Sequence, residues 1–138
     1  MDRAIDGMDA TTNFWHNPHE YRANPNLISW YQVELDRSYF IPKVILEDRN
    51  DGCCPTRLEN TEVRIGFDDY SQSVMNLNPL CFEQDFEPPS ITSVYVCESG
   101  PMEGRFVLAR KIGPTTNEAT PHSIYAMTIR ELRIWVVE

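Results

Sequence analysis

Two arginines, Arg49 and Arg57, enclose an aspartate and two adjacent cysteines in the segment Arg-Asn-Asp-Gly-Cys-Cys-Pro-Thr-Arg. Each guanidinium group presents a planar set of N–H donors and no acceptor. Two such groups therefore suit a ligand with many lone pairs, such as a carboxylate, a phosphate or the vicinal oxygens of a sugar. Asp51 is placed to hold one of the two guanidinium groups. The alternative is that the arginines form surface ion pairs, which contribute little energy.

The adjacent cysteines, Cys53 and Cys54, are the unusual part of this segment. A disulfide between them would stiffen the turn and leave a flat, apolar sulfur surface that suits the C–H face of a pyranose. With Cys81 and Cys97 the chain has 4 cysteines, which permit three complete pairings. Their spacing lacks the Cys-x-x-Cys pairs of a zinc site, and disulfides would indicate an oxidising compartment. The alternative is a cytosolic protein with reduced thiols.

The composition of the chain restricts the partners it can have. A length of 138 residues predicts one domain, residues 1–138, with a single core. Acidic residues outnumber basic ones by 21 to 12, and the net charge of −9 argues against nucleic acid and anionic membranes as partners. No apolar run could span a bilayer, and the polar first residues do not resemble a signal peptide. Because the cysteines favour secretion, we expect a fragment or mature form of an extracellular protein.

No motif of enzyme chemistry stands out in the sequence. Gly-x-Ser-x-Gly, His-Glu-x-x-His and phosphate-binding glycine loops are all absent from it. His16 and His19 could share a metal ion, but histidines in a loop rich in proline and asparagine are more often simply exposed. Two carboxylates for glycoside hydrolysis need only meet in space, so 21 acidic residues predict nothing about it. A binding module is the better default.

The elements that position these residues are predicted to be strands. Residues 28–35 alternate so that Tyr31, Val33 and Leu35 face the core. Residues 13–26 are predicted as a loop, since two prolines and four asparagines exclude a helix or a central strand. No segment has a helical period, so a β-sandwich or barrel is indicated. The other strand candidates are 39–46, with a bulge or sheet edge at Pro42, then 58–66, a short strand near 73–75, 91–97, 105–110, 123–127 and 132–137.

A set of short motifs resembles the F-type lectins, or fucolectins, in order and rough spacing. The most specific of them is Arg-x-Asp followed by Cys-Cys and Arg-Leu. The resemblance covers nearly the whole chain and implies an eight-stranded β-jelly-roll sandwich of the discoidin-like, galactose-binding-like group. The motifs are Ala-Ile-Asp-Gly from Ala4, Asn-Phe-Trp-His from Asn13, Trp-Tyr-Gln-Val-Glu-Leu from Trp30, Arg49 to Leu58, Asn-Pro-Leu-Cys from Asn78, and Cys97 with Gly-Arg-Phe-Val from Gly104.

The resemblance implies a shallow L-fucose site at one end of the sandwich. Arg49 and Arg57 would donate to the axial 4-hydroxyl, the ring oxygen and the 3-hydroxyl of the sugar. The disulfide of the cysteine doublet would pack against the ring edge, and an aromatic pair would shelter the methyl group. The family also implies a second, structural disulfide, Cys81–Cys97. The complete set of implied sugar-binding residues is Phe14, Trp15, His19, Arg49, Asp51, Cys53, Cys54 and Arg57.

A structural calcium ion is also implied by the resemblance. In this family the ion is held mostly by loop carbonyls near Ala-Ile-Asp-Gly and by a glutamate near the C-terminus. These positions correspond to Asp6, with backbone oxygens of Arg3 and Met8, and to Glu131 with the carbonyl of Arg130. Ligation by oxygen alone suits a hard cation. The alternative is that Asp6 is an ordinary turn residue and Glu131 a solvated strand residue.

The sequence departs from the family pattern in three places. The position expected for the family's histidine holds Arg22, and His19 lies three residues earlier; Tyr21 and Arg22 are alternative substitutes. Gly52 is an extra residue before the cysteine doublet. The family's first strand lies upstream of Ala-Ile-Asp-Gly, so this strand is either lost or outside the sequence.

We therefore expect a calcium-stabilised, non-enzymatic lectin that binds terminal L-fucose on extracellular glycans. Because single sugar sites are usually weak, we expect it to act as a homo-oligomer or within a multi-domain chain. The displaced histidine and the inserted Gly52 motivate an alternative, a scaffold that has lost sugar binding and serves as a structural or protein-interaction domain. A carbohydrate-active enzyme or its accessory module is a more remote alternative.

Overall fold

The computed structural model of the chain describes residues 2–9, 15–17, 29–48, 58–72, 75–84, 92–113, 127–129 and 131–137; for 2–9, 15–17 and Thr128 the description is of the backbone. In this part the chain forms β-strands and no helix, so it contains no helix of the length and hydropathy needed to cross a membrane. The strands are β1 Asp2–Asp9, β2 Trp15–Asn17, β3 Trp30–Glu47, β4 Thr61–Gly66, β5 Leu80–Gln84, β6 Thr92–Val96, β7 Met102–Lys111, β8 Met127–Ile129 and β9 Glu131–Val137.

Strand β3 joins the two layers of the fold. Its first part pairs with β7, from Trp30 opposite Arg110 to Ile41 opposite Met102. Its last five residues pair with β9 on one side and with β6 on the other. Pairing continues from β7 to β4 and β5, and from β9 to β1. We call the first set of strands the β7 layer and the second set, β1, β9, the end of β3 and β6, the β9 layer.

The sequence predicts two strands where the structure has the single strand β3. The predicted break at 36–38 is the corner at which the pairing with β7 shifts in register, so the chain bends there without leaving the strand. A second irregularity, in the pairing with β9, lies between Phe40 and Lys43. It contains Pro42, which cannot donate a hydrogen bond to a neighbouring strand. The predicted bulge at Pro42 is confirmed.

Most of the predicted strands are present, and three observed strands are not predicted. The alternating segments correspond to β4, β6, β7 and β9. The sequence around β5 is acidic and rich in turn residues, so it does not predict a strand there. β1 has no hydrophobic alternation, and β2 is a three-residue strand that pairs with β8 in the described part. The short strand predicted near 73–75 lies mostly outside the described residues, and Met75 belongs to a turn.

One hydrophobic core fills the space between the two layers. Alternation along the strands directs every second side chain inward. Cys81 of β5 and Cys97, which follows β6, form a disulfide with an S–S distance of 2.08 Å that links the layers. The predicted structural disulfide is therefore confirmed. The fully buried members of the core include Val44, Leu46, Leu132, Ile134 and Val136 from the β9 layer and Val63, Ile65, Val107 and Ala109 from the β7 layer.

The outer face of the β7 layer is covered by the turn at 67–72. The ring of Tyr70 packs edge-on against Trp30, with ring centroids 5.2 Å apart. The side-chain oxygen of Gln32 accepts a hydrogen bond from the backbone N–H of Tyr70, and its amide nitrogen donates to Asp69. Leu108 is buried although it lies on this outer face. The turn thus adds a small second hydrophobic contact outside the main core.

Candidate functional site

In the β9 layer, four residues form one margin of the sheet. Glu47 at the end of β3 lies opposite Glu131 of β9 and opposite Thr92 of β6. Asp9 at the end of β1 lies opposite Glu131 on the other side. Three carboxylate residues therefore lie in one row across neighbouring strands. Like charges on neighbouring strands repel, and the contact of Glu131 with Arg133 offsets part of this repulsion.

The β7 layer ends at the same end of the sandwich. Its margin contains Thr61 of β4, which lies opposite Lys111 of β7 and Gln84 of β5. The amide nitrogen of Gln84 donates to the hydroxyl of Ser93, next to Thr92, at 3.3 Å, which joins the two margins. We call this end of the sandwich, with the margins of both layers, the Glu47 end.

The predicted sugar-binding residues belong to two segments, Phe14 to His19 and Arg49 to Arg57, which we call the first and the second sugar-binding segment. Described residues near these segments lie at the Glu47 end. Ser29 is the first described residue after the first segment, ten residues beyond His19, and its carbonyl accepts a hydrogen bond from the backbone N–H of Lys111 at 2.9 Å. Asp48 precedes the second segment and follows Glu47 directly. Glu59 comes two residues after the second segment, and its carbonyl accepts a hydrogen bond from the side chain of Lys111. Both segments therefore leave or enter the described strands at one end of the molecule.

One of the eight predicted sugar-binding residues, Trp15, lies in the described part. It is the first residue of β2 and lies opposite Ile129 of β8. The remaining seven are outside the described residues, as is the predicted Cys53–Cys54 disulfide, and their roles stay predictions. They are Phe14, His19, Arg49, Asp51, Cys53, Cys54 and Arg57.

The first half of the predicted calcium site lies on a strand. Arg3, Asp6 and Met8 belong to β1, which pairs with β9 through the whole motif, so the expectation of a loop there is wrong. The register shifts between Asp6 and Met8, which leaves Gly7 as an extra residue. At such a bulge the backbone groups of the extra residue leave the ladder. The pairing with β9 is long-range, and the polar sequence of β1 gives no local sign of it.

Glu131, from the second half of the predicted calcium site, is the first residue of β9. Its carboxylate accepts a hydrogen bond from the Nε of Arg133 at 2.7 Å. Arg130 lies outside the described residues. Within the part of the chain that the structure describes, no three side chains of His, Cys, Asp or Glu are close enough to hold a metal ion. The predicted ligands are mostly backbone oxygens, so this finding concerns only a site built from side chains.

The sequence does not predict that three charged residues at the Glu47 end are buried. Lys111 is 0% exposed, and Asp48 and Glu59 are also buried. Lysine and the acids are among the residues least often buried, and each one needs hydrogen-bonding partners when it is. Nothing in their sequence context distinguishes them from surface residues. They lie at the bases of the predicted sugar-binding segments, where burial fixes the backbone.

Another buried charged residue, Glu62, binds two arginines. Its Oε1 accepts from the Nε of Arg64 at 2.7 Å and from the Nε of Arg110 at 2.8 Å. Burial acts to lower the pKa of Arg110, but its hydrogen bond with Tyr70 and its attraction to Glu62 outweigh this, so the pKa is raised. Both guanidinium groups are engaged within the protein. Arg64 and Arg110 are distinct from Arg49 and Arg57, the two arginines that the sequence predicts to bind a ligand.

A jelly roll whose connecting segments start from one end of two packed sheets is the architecture of galactose-binding-like modules. The sequence matches the family described as the NedA-like, galactose-binding domain over residues 3–108. The chain belongs to this family. Among curated proteins, none matches the sequence.

Solved structures of carbohydrate-binding proteins share this fold. The f-lectin (fucolectin) from striped bass (Morone saxatilis) serum has a TM-score of 0.63 at 16% identity, over 99% of this chain and 46% of its own. The lectin domain of lectinolysin complexed with Lewis B antigen has a TM-score of 0.64 at 15% identity, over 99% and 94%. The family 32 module of C. perfringens NanJ in complex with galactose has a TM-score of 0.57 at 15% identity, over 98% and 92%.

These comparisons confirm the predicted fold and the resemblance to F-type lectins. At such identities the likeness concerns the fold alone. This chain spans slightly less than half the length of the striped bass fucolectin chain. The prediction of a single domain over 1–138 stays a prediction.

Proposed function

We propose that the protein is a non-enzymatic, extracellular lectin that binds terminal L-fucose at the Glu47 end. The observation that carries the proposal is the position of Ser29, Asp48 and Glu59, which lie next to the predicted segments and all belong to this end. The membership in a galactose-binding family favours a sugar over the phosphate or carboxylate that two arginines would also suit. The disulfide between Cys81 and Cys97 supports an oxidising, extracellular location.

The proposed chemistry uses the two sides of fucose separately. Arg49 and Arg57 donate hydrogen bonds to vicinal hydroxyls and the ring oxygen, for which a planar set of donors is well suited. Phe14 and Trp15 form an apolar wall for the methyl group. The Cys53–Cys54 disulfide contacts the ring edge. His19 completes the donor set, and Asp51 orients one guanidinium group.

Neighbours with the same fold guide the choice of sugars. The lectinolysin domain is named as a complex with Lewis B antigen, and the NanJ module as a complex with galactose. D-galactose is therefore the competing ligand. The two sugars belong to opposite enantiomeric series, so D-galactose cannot offer its hydroxyls to Arg49 and Arg57 in the arrangement that L-fucose has, and it also lacks the methyl group that the hydrophobic wall would contact.

The test is calorimetric titration of the oxidised, calcium-loaded protein with L-fucose, L-galactose and D-galactose. L-galactose differs from L-fucose only by the hydroxyl at carbon 6, so it isolates the contribution of the methyl group. We expect heat with L-fucose, weaker binding of L-galactose and no binding of D-galactose. Binding of D-galactose with equal affinity would favour a galactose lectin. The absence of heat with every sugar, from folded protein, would favour the scaffold that has lost sugar binding.

The site assignment is tested with Arg57→Ala. Loss of charge-assisted hydrogen bonds worth about 1.5–3 kcal/mol each predicts at least about a tenfold loss of affinity. Arg105→Ala is the matched control, because Arg105 pairs with Glu34 on the surface of the β7 layer. Unchanged fucose binding by Arg57→Ala would refute the assignment, whatever the protein binds.

We further propose that calcium binds where the bulge in β1 faces the start of β9. Gly7 leaves the ladder there, and the ligands would be the carboxylates of Asp6 and Glu131 with the backbone oxygens of Arg3, Met8 and Arg130, which are oxygen ligands of the kind that calcium prefers. The ion would supply a cross-link between β1 and β9 at the Glu47 end. Calcium should then raise the unfolding temperature of the wild type and raise it less in Glu131→Gln. An equal shift in both proteins would remove Glu131 from the ligand set.

A further inference from the structure

Lys111 is the last residue of β7 and is completely buried. Its backbone N–H donates to the carbonyl of Ser29 at 2.9 Å, and its Nζ donates to the carbonyl of Glu59. Ser29 is the first described residue after the first predicted sugar-binding segment, and Glu59 follows the second by two residues. One residue therefore bonds to the bases of both segments.

The two residues after Lys111 strengthen the same contact. The backbone N–H of Ile112 donates to the carbonyl of Asn60 at 2.7 Å. Asn60 has a positive φ of 53°, a left-handed conformation that asparagine tolerates better than most residues. A Cβ on Gly113 would lie 3.1 Å from the Cγ of Asn60, so the chains are in close contact there. Residues 111–113 thus hold a turn whose backbone cannot easily change.

We propose that Lys111 is a positioning residue for sugar binding, which joins the bases of the two segments so that their ligand-binding groups meet. The proposal rests on the proposed function, since those segments contain Phe14 to His19 and Arg49 to Arg57. Lysine suits the task because its long apolar stem can be buried while its amino group offers three donors to carbonyl oxygens. An aliphatic residue would fill the same space without bonding to the backbone of Glu59.

The first experiment measures the wild type alone. Amide hydrogen exchange should be as slow for Lys111 and Ile112, which donate to the two bases, as for Val107 in the centre of β7. Exchange of Lys111 and Ile112 as fast as that of chain ends would overturn the proposal without any variant. This result does not depend on whether the protein binds fucose.

The second experiment compares Lys111→Met with Val107→Ala. Both change a buried residue of β7, but Val107 lies in the core, away from the bases. At a temperature where both are folded, we expect Lys111→Met to bind L-fucose at least about tenfold more weakly, with faster exchange at Ile112. Val107→Ala should lose stability and keep its affinity. Affinity within twofold of the wild type in Lys111→Met, or an equal loss in both variants, would overturn the proposal.

The experiments also distinguish a variant that does not fold from a wild type that does not bind sugar. If Lys111→Met does not fold, Lys111→Gln keeps an N–H donor on a shorter stem and should bind with intermediate affinity; affinity equal to that of the wild type would count against positioning by the amine. If the wild type binds none of the three sugars, the proposed function fails and the role in sugar binding fails with it. The exchange data then decide only whether Lys111 joins the two bases.

Discussion

Glu62 lies directly opposite Arg110 on the neighbouring strand, and its carboxylate is shared between Arg110 and Arg64. The side chain of Glu62 is 4% exposed, so its charge is compensated almost entirely within the protein. The ring of Tyr70 lies over the group, with the guanidinium carbon of Arg110 5.8 Å from the ring centroid. Through Tyr70 the turn at 67–72 thus contacts this cluster of charges, in addition to its contacts with Trp30 and Gln32.

Glu62→Gln should therefore destabilise the fold strongly. The substitution keeps the shape but leaves two guanidinium groups against a neutral amide, and breaking a buried ion pair costs about 3–5 kcal/mol. Denaturant unfolding measures the loss. Glu34→Gln is the matched control, since Glu34 pairs with Arg105 where the side chains are 53% and 48% exposed, and such pairs contribute at most about 1 kcal/mol. Similar losses of unfolding free energy in both variants would show that the buried cluster stabilises the fold no more than an exposed ion pair does.

The two predicted disulfides should have separable effects. Cys81→Ala with Cys97→Ala opens a link across 16 residues, which predicts a loss of about 3 kcal/mol in the free energy of unfolding. Since this link lies away from the proposed sugar site, the folded double variant should keep its affinity for L-fucose. Cys53→Ala with Cys54→Ala should weaken fucose binding instead. Titration calorimetry and denaturant unfolding on both variants provide the comparison, and loss of binding in the first variant alone would contradict it.

Alternating hydrophobicity is sufficient to predict the strands that border the core. The segments predicted from alternating hydrophobic residues, β4, β6, β7 and β9, agree with the observed strands to within a few residues. β1 is not predictable in this way, because pairing with β9 and not its own pattern holds it in place. The sequence predicts a break at 36–38 of β3 because local residues do not reveal that the pairing with β7 resumes at Tyr39 after a shift in register.

The candidate site was predictable in part, for a physical reason. Arginine pairs and adjacent cysteines are visible in the sequence because the residue types themselves carry the chemistry. Lys111 carries no such signal, since its role depends on burial and on carbonyl groups of Ser29 and Glu59 that any residue type would supply. Residues that position a site through its backbone are found only when the packing is known.

Gly104→Ala should destabilise the contact between β7 and β4. A Cβ at this position would lie 2.6 Å from the backbone nitrogen of Gly66 and 2.8 Å from its oxygen, and neither atom can move without shifting a strand. Forcing extra volume into such a contact costs about 1–3 kcal/mol. The neighbour Glu103 is exposed, so Glu103→Ala should change stability by less than about 0.5 kcal/mol. If Gly104→Ala unfolded at the same temperature as the wild type, β4 and β7 would have moved apart without loss of stability, and the prediction would be wrong.

The stability of the turn at 67–72 should depend on pH through Asp69. Hydrogen bonds from Ser71, at 2.6 Å, and from Gln32, at 2.7 Å, lower the pKa of this carboxyl group. A lowered pKa in the folded state means that the unfolded chain binds the proton more readily. The stabilisation is therefore complete above the ordinary aspartate pKa of about 3.9 and is lost as the pH falls through the lower, folded value.

Ser71→Ala removes the larger of these two causes, so the pKa of Asp69 should rise toward its ordinary value. The variant should then lose stability at neutral pH, and the difference from the wild type should shrink as the pH falls through the lowered, folded-state pKa of Asp69, below which the carboxyl group is protonated in both states. Carboxyl NMR titration and unfolding curves at several pH values measure both effects. Ser38→Ala, at an exposed serine on the corner of β3, is the control. A pKa of Asp69 that is the same in Ser71→Ala and in the wild type would show that Gln32 and the backbone N–H of Ser71 determine it.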